Sequence, residues 1–415
     1  MRNGWERLAG LALAGTFSAT ALSQTITALP NISAANAYSR INYMSDDGSS
    51  VIANITNGAD FAVWRWRAAT GWQQLTGNTV PAVGISGDGS VVVAGNAAWR
   101  DGAGWRNMPV VTAHNGEQWP LQGVAVSADS NPVVFGRYRM QDVERVCRVV
   151  WNGSGWAYVN TVYEEFNMST LSASAAAGGQ ALALEEFTNG IVRSRGVALG
   201  YSLNPPPGPN FSEVTVRGVS SDASRAVGYT RQGSITSGPA VYWDTQGMHT
   251  LPHLPGATAS AAIRASNTGV IVGISGGVGC VWENGQPRTL REYLLQKGVG
   301  LPATFLIGTF GVSGISGDGR TLAGTHTYRL ANGAVVERGW MATLGPEGTP
   351  PCTDLDFNND TLFPDFQDIE DFFIVASGGD CSTGDCDDTD FNGDGLFPDY
   401  ADIADFLNVF SGGGC

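Results

Sequence analysis

The chain has 415 residues, a formal net charge of −15 and 43% hydrophobic residues. This length predicts two or three domains, and the apolar content is sufficient for a packed core. Because binding to a phosphate backbone requires a basic face, the acidic balance argues against nucleic acid as a partner. Only 15% of the residues are charged and 56 are glycine, which favours all-β structure with tight turns.

The N-terminus has the three-part layout of a secretory signal peptide. Arg2 and Arg7 precede an apolar run over residues 8–22, and the small residues Ala21 and Ser23 precede Gln24. A membrane anchor is the alternative, but the run is shorter than the roughly 20 residues that a spanning helix needs. We therefore expect residues 1–23 to be removed, leaving a secreted, extracellular protein without a transmembrane segment.

Residues 24–344 contain a repeated turn of the type Ser-x-Asp-Gly. Three copies begin at Ser45, Ser86 and Ser316, and degenerate copies begin at Ser127, Ser174, Ser220 and Ser266. Successive copies are 41, 41, 47, 46, 46 and 50 residues apart. Apolar stretches flank each turn, so each copy predicts a β-hairpin in which Ser and Asp bond nearby amides and Gly accepts a positive φ.

A third strand is expected after each hairpin, ending near a tryptophan that follows the turn in six of the seven units. These residues are Trp66, Trp99, Trp151, Trp243, Trp282 and Trp340. Several units continue with a glycine-rich turn and a fourth strand. Four short strands per unit predict a mainly-β fold, a seven-bladed β-propeller of four-stranded blades; a β-solenoid or a pair of sandwiches is the alternative.

The body resembles the HAF-type extracellular repeat proteins over most of residues 36–344. The stretches that carry the resemblance are residues 264–273 (RASNTGVIVG) and 281–285 (VWENG). Residues 240–243 (AVYW) depart from the His-Ala-Phe of that family. The resemblance implies the repeat fold and an extracellular location, and it implies no particular activity.

The first strand of the body is expected to complete the last blade. The seventh unit ends at residues 338–344 without a fourth strand after it, while residues 25–30 (TITALP) precede the first unit. They are similar to residues 249–252 (HTLP), which occupy the fourth-strand position of the fifth unit. Pairing between the two termini of the body would remove an exposed edge.

Catalytic residues do not stand out in the body. Its four histidines form no metal-ligand motif such as His-Glu-x-x-His, and the acid pairs at residues 164–165 and 185–186 are adjacent, so each pair points to opposite faces of its strand. We therefore expect a non-catalytic binding or scaffold protein with a glycan or a protein as ligand of the propeller. The alternative is an extracellular carbohydrate-active hydrolase or lyase whose catalytic site is assembled from scattered propeller loops.

A second domain follows a linker at residues 345–351. Residues 352–415 contain 15 Asp, one Glu and no Lys or Arg, and residues 352–381 and 386–415 are two copies offset by 34. A solvated disordered acidic segment is the alternative, but regularly spaced phenylalanines favour a fold. Residues 390–395 (DFNGDG) match the opening of an EF-hand calcium loop, which has oxygen ligands at alternate positions and Gly at the sixth.

Two calcium ions are expected, one in each loop. With loops beginning at Asp356 and Asp390, the candidate ligands are Asp356, Asn358, Asp360, Leu362, Asp365 and Asp368, and then Asp390, Asn392, Asp394, Leu396, Asp399 and Asp402. Either Asp365 and Asp399 or Asp368 and Asp402 close the loops; Asp365 and Asp399 are alternatively helix caps. Thr361 replaces the sixth-position Gly in the first loop, so the first site should be weaker.

Each loop precedes an amphipathic helix. Apolar residues recur at i, i+3, i+4 and i+7, at Ile369, Phe372, Phe373 and Ala376 and at Ile403, Phe406, Leu407 and Phe410. Two such units, with flanking cysteines and a SGGGC ending, resemble the GC-type dockerin domain over residues 352–415. The resemblance implies calcium-dependent anchoring to a cohesin-like or cell-envelope protein, which would attach the chain to a cell surface.

The cysteines of the second domain are expected to form disulfides within each repeat. Cys352 and Cys381 are 29 residues apart, as are Cys386 and Cys415, and each pair brackets one loop and helix. Export to an oxidising compartment permits these bonds. Cys147 and Cys280 lie in different units of the body and are expected to be buried free thiols.

Overall fold

The fold is that of a computed structural model. It describes residues 25–32, 40–57, 60–77, 80–112, 117–128, 132–140, 143–166, 169–176, 181–188, 191–197, 199–203, 213–231, 238–301, 305, 308–329, 335–345, 355–360, 365–389, 391 and 400–410. The expected signal peptide, most of the linker, Cys352 and Cys415 lie outside these residues. The chain divides into two compact units, one of Gln24–Pro351 and one that contains Cys352–Cys415.

The first unit is a β-propeller of four-stranded antiparallel blades, which confirms the mainly-β prediction. In chain order its strands are β1 (Thr25–Ala28), β2 (Tyr43–Met44), β3 (Ser50–Asn57), β4 (Asp60–Arg67), β5 (Gly71–Gln74), β6 (Ala82–Ile85), β7 (Val91–Ala94), β8 (Ala97–Arg100), β9 (Gly104–Asn107), β10 (Val110–Thr112), β11 (Gln118–Pro120), β12 (Gln122–Val126), β13 (Val134–Met140), β14 (Val143–Trp151) and β15 (Trp156–Phe166). They continue with β16 (Ser169–Ala175), β17 (Leu182–Thr188), β18 (Ile191–Val197), β19 (Glu213–Val219), β20 (Ala226–Arg231), β21 (Ala240–Asp244), β22 (Gly247–Thr250), β23 (Ser260–Ala265), β24 (Ile271–Ser275), β25 (Val278–Glu283), β26 (Gln286–Thr289), the helix α1 (Leu290–Gln296), β27 (Thr309–Ile315), β28 (Thr321–Arg329) and β29 (Val335–Thr343).

Six of the sheets are four-stranded. Their strand orders are β2-β3-β4-β5, β6-β7-β8-β9, β12-β13-β14-β15, β19-β20-β21-β22, β23-β24-β25-β26 and β1-β29-β28-β27. A three-stranded sheet, β16-β17-β18, lies between the third and fourth of these in chain order, and β10 and β11 form a separate hairpin. One edge strand of each sheet packs against the corresponding strand of the next sheet, which places these strands around a common centre. These strands are β2, β6, β12, β16, β19, β23 and β27.

The repeated turns have the local structure that the sequence predicts. The hydroxyl of Ser45 donates to Oδ1 of Asp47 at 2.6 Å, the same oxygen accepts from the amide of Ser49 at 2.9 Å, and Gly48 has a φ of 70°. The turns at Ser86, Ser220 and Ser316 have the same Ser–Asp hydrogen bond. The side chain thus replaces backbone partners in the turn, which fixes the hairpin.

These turns also connect neighbouring sheets through their backbones. The amide of Asp47 donates to the carbonyl of Gly87 at 2.8 Å, and the amide of Gly317 donates to the carbonyl of Asp46 at 2.7 Å. A Cβ on Gly317 would lie 2.5 Å from the carboxylate of Asp46, which explains the glycine. The turns therefore connect the strands of each hairpin and also form hydrogen bonds between neighbouring blades.

The expected closure by the N-terminal strand is confirmed. Strand β1 pairs antiparallel with β29, with Thr25 opposite Thr343 and Ala28 opposite Trp340. The amide of Leu29 extends the ladder by donating to the carbonyl of Gly339 at 2.8 Å. The two ends of the body therefore share one blade, and the outer edge of β29 is covered.

The repeated tryptophans lie on third strands, as predicted. Trp243, Trp282 and Trp340 are fully buried on β21, β25 and β29. Burial of a side chain of this size contributes strongly to each blade interface. Cys147 and Cys280 are buried free thiols, as predicted, and burial raises the pKa of each to about 12.

The second unit contains two short helices, α2 (Phe366–Ala376) and α3 (Tyr400–Phe410). Its core is formed by four buried phenylalanines, Phe357, Phe372, Phe391 and Phe406, and the rings of Phe372 and Phe406 stack at 4.2 Å. No helix among the described residues is long and apolar enough to cross a membrane.

The two helices pack through part of their apolar faces. Phe373 and Leu407, which occupy equivalent positions, are each 40% exposed. Each helix has one neighbouring helix to pack against within this unit, so the stripe centred on Phe372 and Phe406 is covered and the side chains one position later are not.

Candidate functional site

The first predicted calcium loop gathers oxygen atoms around one backbone amide. Oδ1 of Asp356 and Oδ1 of Asn358 both accept from the amide of Asp360, each at 3.1 Å. Asn358 is buried, and Phe357 between them is part of the aromatic core. The alternation of core and ligand residues therefore turns the Asp356 and Asn358 side chains toward the same part of the loop.

Asp368 links the start and the end of this loop. Its carboxylate is only 1% exposed; Oδ1 accepts from the amide of Asn358 at 3.2 Å and Oδ2 accepts from the amide of Asp365 at 2.7 Å. Asp365 is exposed, has an extended backbone and accepts from the amide of Gln367 at 2.7 Å as the N-cap of α2. The two acids thus form a capping box at the start of α2, and Asp368 in addition reaches back into the loop.

The second loop is described only in part. Asp402, the counterpart of Asp368, is fully buried in the first turn of α3. Six other predicted ligands lie outside the described residues: Leu362, Asp390, Asn392, Asp394, Leu396 and Asp399. Within the described part of the chain, no group of three or more His, Cys, Asp or Glu side chains is arranged to hold a metal ion. The side chains that do converge offer carboxylate and amide oxygens, the ligands that calcium prefers.

Sequence reasoning missed Asp371, which stabilises the same loop from the helix. It is fully buried and accepts from Nδ2 of Asn358 at 3.1 Å and from the hydroxyl of Ser382 at 2.6 Å. Burial alone would raise the pKa of Asp371, but the hydrogen bonds from Ser382 and Asn358 outweigh burial and lower it. Its recurrence as Asp405, 34 residues later, was the available signal.

The disulfide pairing differs from the prediction. Cys381 is bonded to Cys386, with Cα atoms 5.8 Å apart, so the expected bonds Cys352–Cys381 and Cys386–Cys415 do not form. The two cysteines flank the turn that connects the repeats, with four residues, 382–385, between them. Equal spacing of 29 residues identifies a repeat, but it does not specify which ends of two packed repeats meet in space.

The propeller contains a cavity of about 900 Å³ around its centre. Residues of the first strands line it, including Tyr43 on β2, Gln122 on β12, Val216 on β19 and Thr309 on β27. Sequence reasoning did not identify this site, because its residues come from different repeats and share no motif.

Four arginines line the cavity: Arg40, Arg137, Arg217 and Arg264. Nη1 of Arg264 donates to the carbonyl oxygens of Arg217 at 2.6 Å and of Ile263 at 2.9 Å. Burial lowers the pKa of Arg264; the nearby Tyr43 opposes this effect and Arg217 adds to it. Among the described lining residues, Glu337 is the acidic one. The lining of this cavity is therefore basic.

A smaller cavity of about 90 Å³ lies on the side of the repeated turns. Arg264 lines both cavities, and Asp46 and Ser221 line the smaller one. Burial raises the pKa of Asp46; a hydrogen bond from Ser221 opposes the rise, and the neighbouring Asp47, Asp318 and Asp222 add to it. The smaller cavity is therefore lined by one acid, Asp46, and one arginine, Arg264, in contrast to the basic lining of the larger cavity.

Comparisons with known proteins identify no family. No family model matches the chain, and no curated protein matches it. Solved structures with similar folds include an oligogalacturonate lyase in complex with manganese, at 11% identity and a TM-score of 0.48, covering 78% of this chain and 97% of that one. An oligogalacturonate lyase from Vibrio parahaemolyticus has 10% identity and a TM-score of 0.45, covering 78% of this chain and 97% of that one. TolB from Acinetobacter baumannii has 10% identity and a TM-score of 0.37, covering 72% of this chain and 65% of that one.

Proposed function

We propose that this chain is a secreted, non-catalytic binding or scaffold protein whose C-terminal unit is a calcium-binding, dockerin-like anchor. The observation that carries the proposal is the first loop, where Asp356 and Asn358 share the amide of Asp360 and Asp368 reaches back to the amide of Asn358. These hydrogen bonds turn carboxylate and amide oxygens toward the backbone of one short loop, and such oxygens are the ligands that calcium prefers.

In this proposal each loop holds one calcium ion. Asp356, Asn358, Asp360 and Asp368 would supply side-chain oxygens in the first loop, and Leu362 its main-chain carbonyl. Asp390, Asn392, Asp394, Leu396 and Asp402 would do the same in the second. Asp365 and Asp399 would then be helix caps. Two divalent ions would offset part of the charge of 16 carboxylates that no Lys or Arg balances.

The partner of this unit would be a cohesin-like or cell-envelope protein, as the dockerin resemblance implies. Phe373 on α2 and Leu407 on α3 support a docking role, because each exposes apolar area at the same position of its helix. A contiguous apolar patch that included both residues would mark an interaction site.

The non-catalytic role is supported by the central cavity. Glycoside hydrolysis uses two carboxyl groups on either side of the scissile bond, and the described lining supplies one, Glu337, among four arginines. The acids at residues 164–165 lie on the outermost strand β15, where Glu164 pairs with Arg145 at 3.1 Å. The cavity is therefore better suited to binding than to glycoside hydrolysis by two carboxyl groups.

The propeller in this proposal has seven blades. The sheet β16-β17-β18 would be the fourth blade, because β16 packs against β12 of the preceding blade and β19 of the following one. A crystal structure in which β12 and β19 contact each other directly, with β16 outside the ring, would contradict this count.

Calorimetric titration of the full-length mature chain with calcium tests the anchor. We expect two binding events, and Asp390→Ala with Asp394→Ala should weaken binding more than Asp356→Ala with Asp360→Ala, since Gly395 at the sixth position makes the second loop less strained. Absence of binding at millimolar calcium contradicts the dockerin-like assignment. N-terminal sequencing of the exported protein tests secretion and should begin at Gln24.

A further inference from the structure

We propose that the central cavity binds a small anionic oligosaccharide through its arginines. This inference rests on the binding role proposed above for the propeller and names the ligand class of that role. A volume of about 900 Å³ is in the range of pockets that enclose small molecules, and a few sugar units fill it. Small polar side chains such as Ser313, Thr309 and Thr327 share the lining with the arginines, and hydroxyl groups suit a polyhydroxylated ligand.

The arginines come from separate parts of the ring. Arg137 lies on β13, Arg217 on β19 and Arg264 on β23, and Arg40 precedes β2. Because they belong to four repeat units, their convergence is a property of the closed ring and is absent from any single repeat. Guanidinium groups bind carboxylate and sulfate through paired hydrogen bonds, and several of them around one cavity match a ligand with several anionic groups.

Protein contacts hold these side chains in place. Arg217 donates to the hydroxyl of Tyr229 at 3.2 Å and lies over its ring, with 5.5 Å from Cζ to the ring centroid. Arg137 donates to Oε1 of Gln122 at 3.2 Å and pairs with Glu144 at 3.6 Å. Such contacts limit the conformational entropy that the arginines lose on binding, so the site is partly preorganised.

The positive charge of Arg264 is not matched by the acceptors it uses. Both are main-chain carbonyl oxygens, of Arg217 and Ile263, which are neutral. Arg264 thus contacts the main chain of a second arginine, and neither of its two acceptors is a carboxylate. An oxyanion in the cavity would supply the missing charge, and it would gain strength from the partial exclusion of water.

The basic character is local. Residues 352–415 account for a charge of −16, so the rest of the chain is close to neutral with a sum of +1. Four arginines and one glutamate line the cavity, and Glu144 pairs with one of these arginines, Arg137, so the lining keeps a net positive charge. Such a field attracts anions, and its effect falls as ionic strength rises.

Calorimetry on the full-length, calcium-loaded chain, with excess calcium removed, tests the inference. The probes are a trisaccharide of mannuronic acid, its methyl ester, sulfated maltotriose and neutral maltotriose. We expect at least one anionic trisaccharide to bind at least tenfold more tightly than its neutral counterpart, and to bind more weakly at high salt. A carboxylate source and a sulfate source are distinguished by which of the two anionic probes binds.

Substitutions assign the binding to the cavity. Arg217→Gln and Arg40→Gln should each weaken binding of the anionic trisaccharide about tenfold, the effect of a lost charge-assisted hydrogen bond. Arg106→Gln, which removes the same charge from an exposed position on β9 outside the cavity, should leave it within twofold. The exposed Arg40 can be changed without disturbing the core, so a folding defect in Arg217→Gln does not block the test.

Three outcomes overturn the inference: no binding of either anionic probe below 10 mM, binding that both cavity variants, Arg217→Gln and Arg40→Gln, leave unchanged, or equal binding of the neutral probe. The last of these leaves the binding role of the propeller in place. Calcium binding by the C-terminal unit is measured separately, so failure of the anchor and failure of the cavity are distinguishable.

Discussion

The two units of this chain solve the problem of stability in different ways. The propeller repeats one interface many times, with buried clusters on successive blades and interblade hydrogen bonds between the repeated turns. The C-terminal unit has a core of four phenylalanines, a charge of −16 and a short disulfide. Repetition distributes stability over many contacts, whereas the small acidic unit depends on a few. Single changes should therefore affect the second unit far more than the first.

The largest effect is expected from Phe406→Ala. This change removes the ring that stacks on Phe372 at 4.2 Å and contacts Phe357 and Phe391, at a cost of about 3–5 kcal/mol. A unit of this size has little further stability, so its transition should disappear in differential scanning calorimetry while that of the propeller stays. Leu407→Ala, one residue later and 40% exposed, is the control and should change little.

Removal of calcium should affect only the C-terminal unit. At a free calcium concentration of 100 times the dissociation constant, each site contributes about 2.7 kcal/mol, which a chelator abolishes. Calorimetry with and without chelator should show a large fall in the melting temperature of this unit and none in that of the propeller. An equal shift of both transitions would show that the two units do not differ in the way described.

Within the C-terminal unit, Asp368 and Asp365 should differ in effect. Asp368→Ala removes the acceptor of the buried amide of Asn358 and of the N-cap amide of Asp365, which costs about 1–3 kcal/mol. The same change removes a proposed calcium ligand. Asp365→Ala removes a helix cap worth about 1 kcal/mol and should leave calcium affinity almost unchanged. A larger loss of calcium affinity in Asp365→Ala than in Asp368→Ala would reverse the assignment of ligand and cap, and equal losses would contradict it.

The disulfide should contribute less than a bond around a whole repeat. For the short loop between Cys381 and Cys386 the chain-entropy relation gives about 2 kcal/mol, against about 3.6 kcal/mol for a loop of roughly 30 residues. Cys381→Ser with Cys386→Ser should lower stability by the smaller amount, measured by chemical denaturation. Peptide mapping of the unreduced protein should recover the fragment that contains both cysteines, and a Cys352–Cys381 fragment would restore the first pairing.

Hydrogen bonds between residues close in sequence were predictable from the sequence. Contacts between residues far apart in sequence were mostly not. The Ser45 and Ser86 turns were predicted because their hydrogen bonds join residues two to five apart, which the sequence shows directly. The pairing of Cys381 and the exposure of Phe373 depend on how two repeats pack, which spacing does not determine. The arginine cavity depends on closure of the ring. The pairing of β1 with β29 was predicted because a missing strand at one end matched an extra strand at the other.

The smallest effect, and one of opposite sign, is expected at Asp46 in the propeller. Because burial raises the pKa of Asp46, the folded protein retains a proton that the unfolded chain releases as pH rises above the ordinary value of 3.8. The contribution of this group to stability is therefore present at low pH and is lost as pH rises through the raised pKa. Asp46→Asn should remove this dependence and stabilise the propeller at neutral pH by less than about 1 kcal/mol.

The neighbouring Asp47→Ala should instead destabilise the propeller, since Oδ1 of Asp47 accepts from both Ser45 and Ser49 in the turn. Thermal unfolding of both variants between pH 4 and pH 8 measures the two signs, and a loss of stability at neutral pH in Asp46→Asn would show that the carboxylate is needed as an anion.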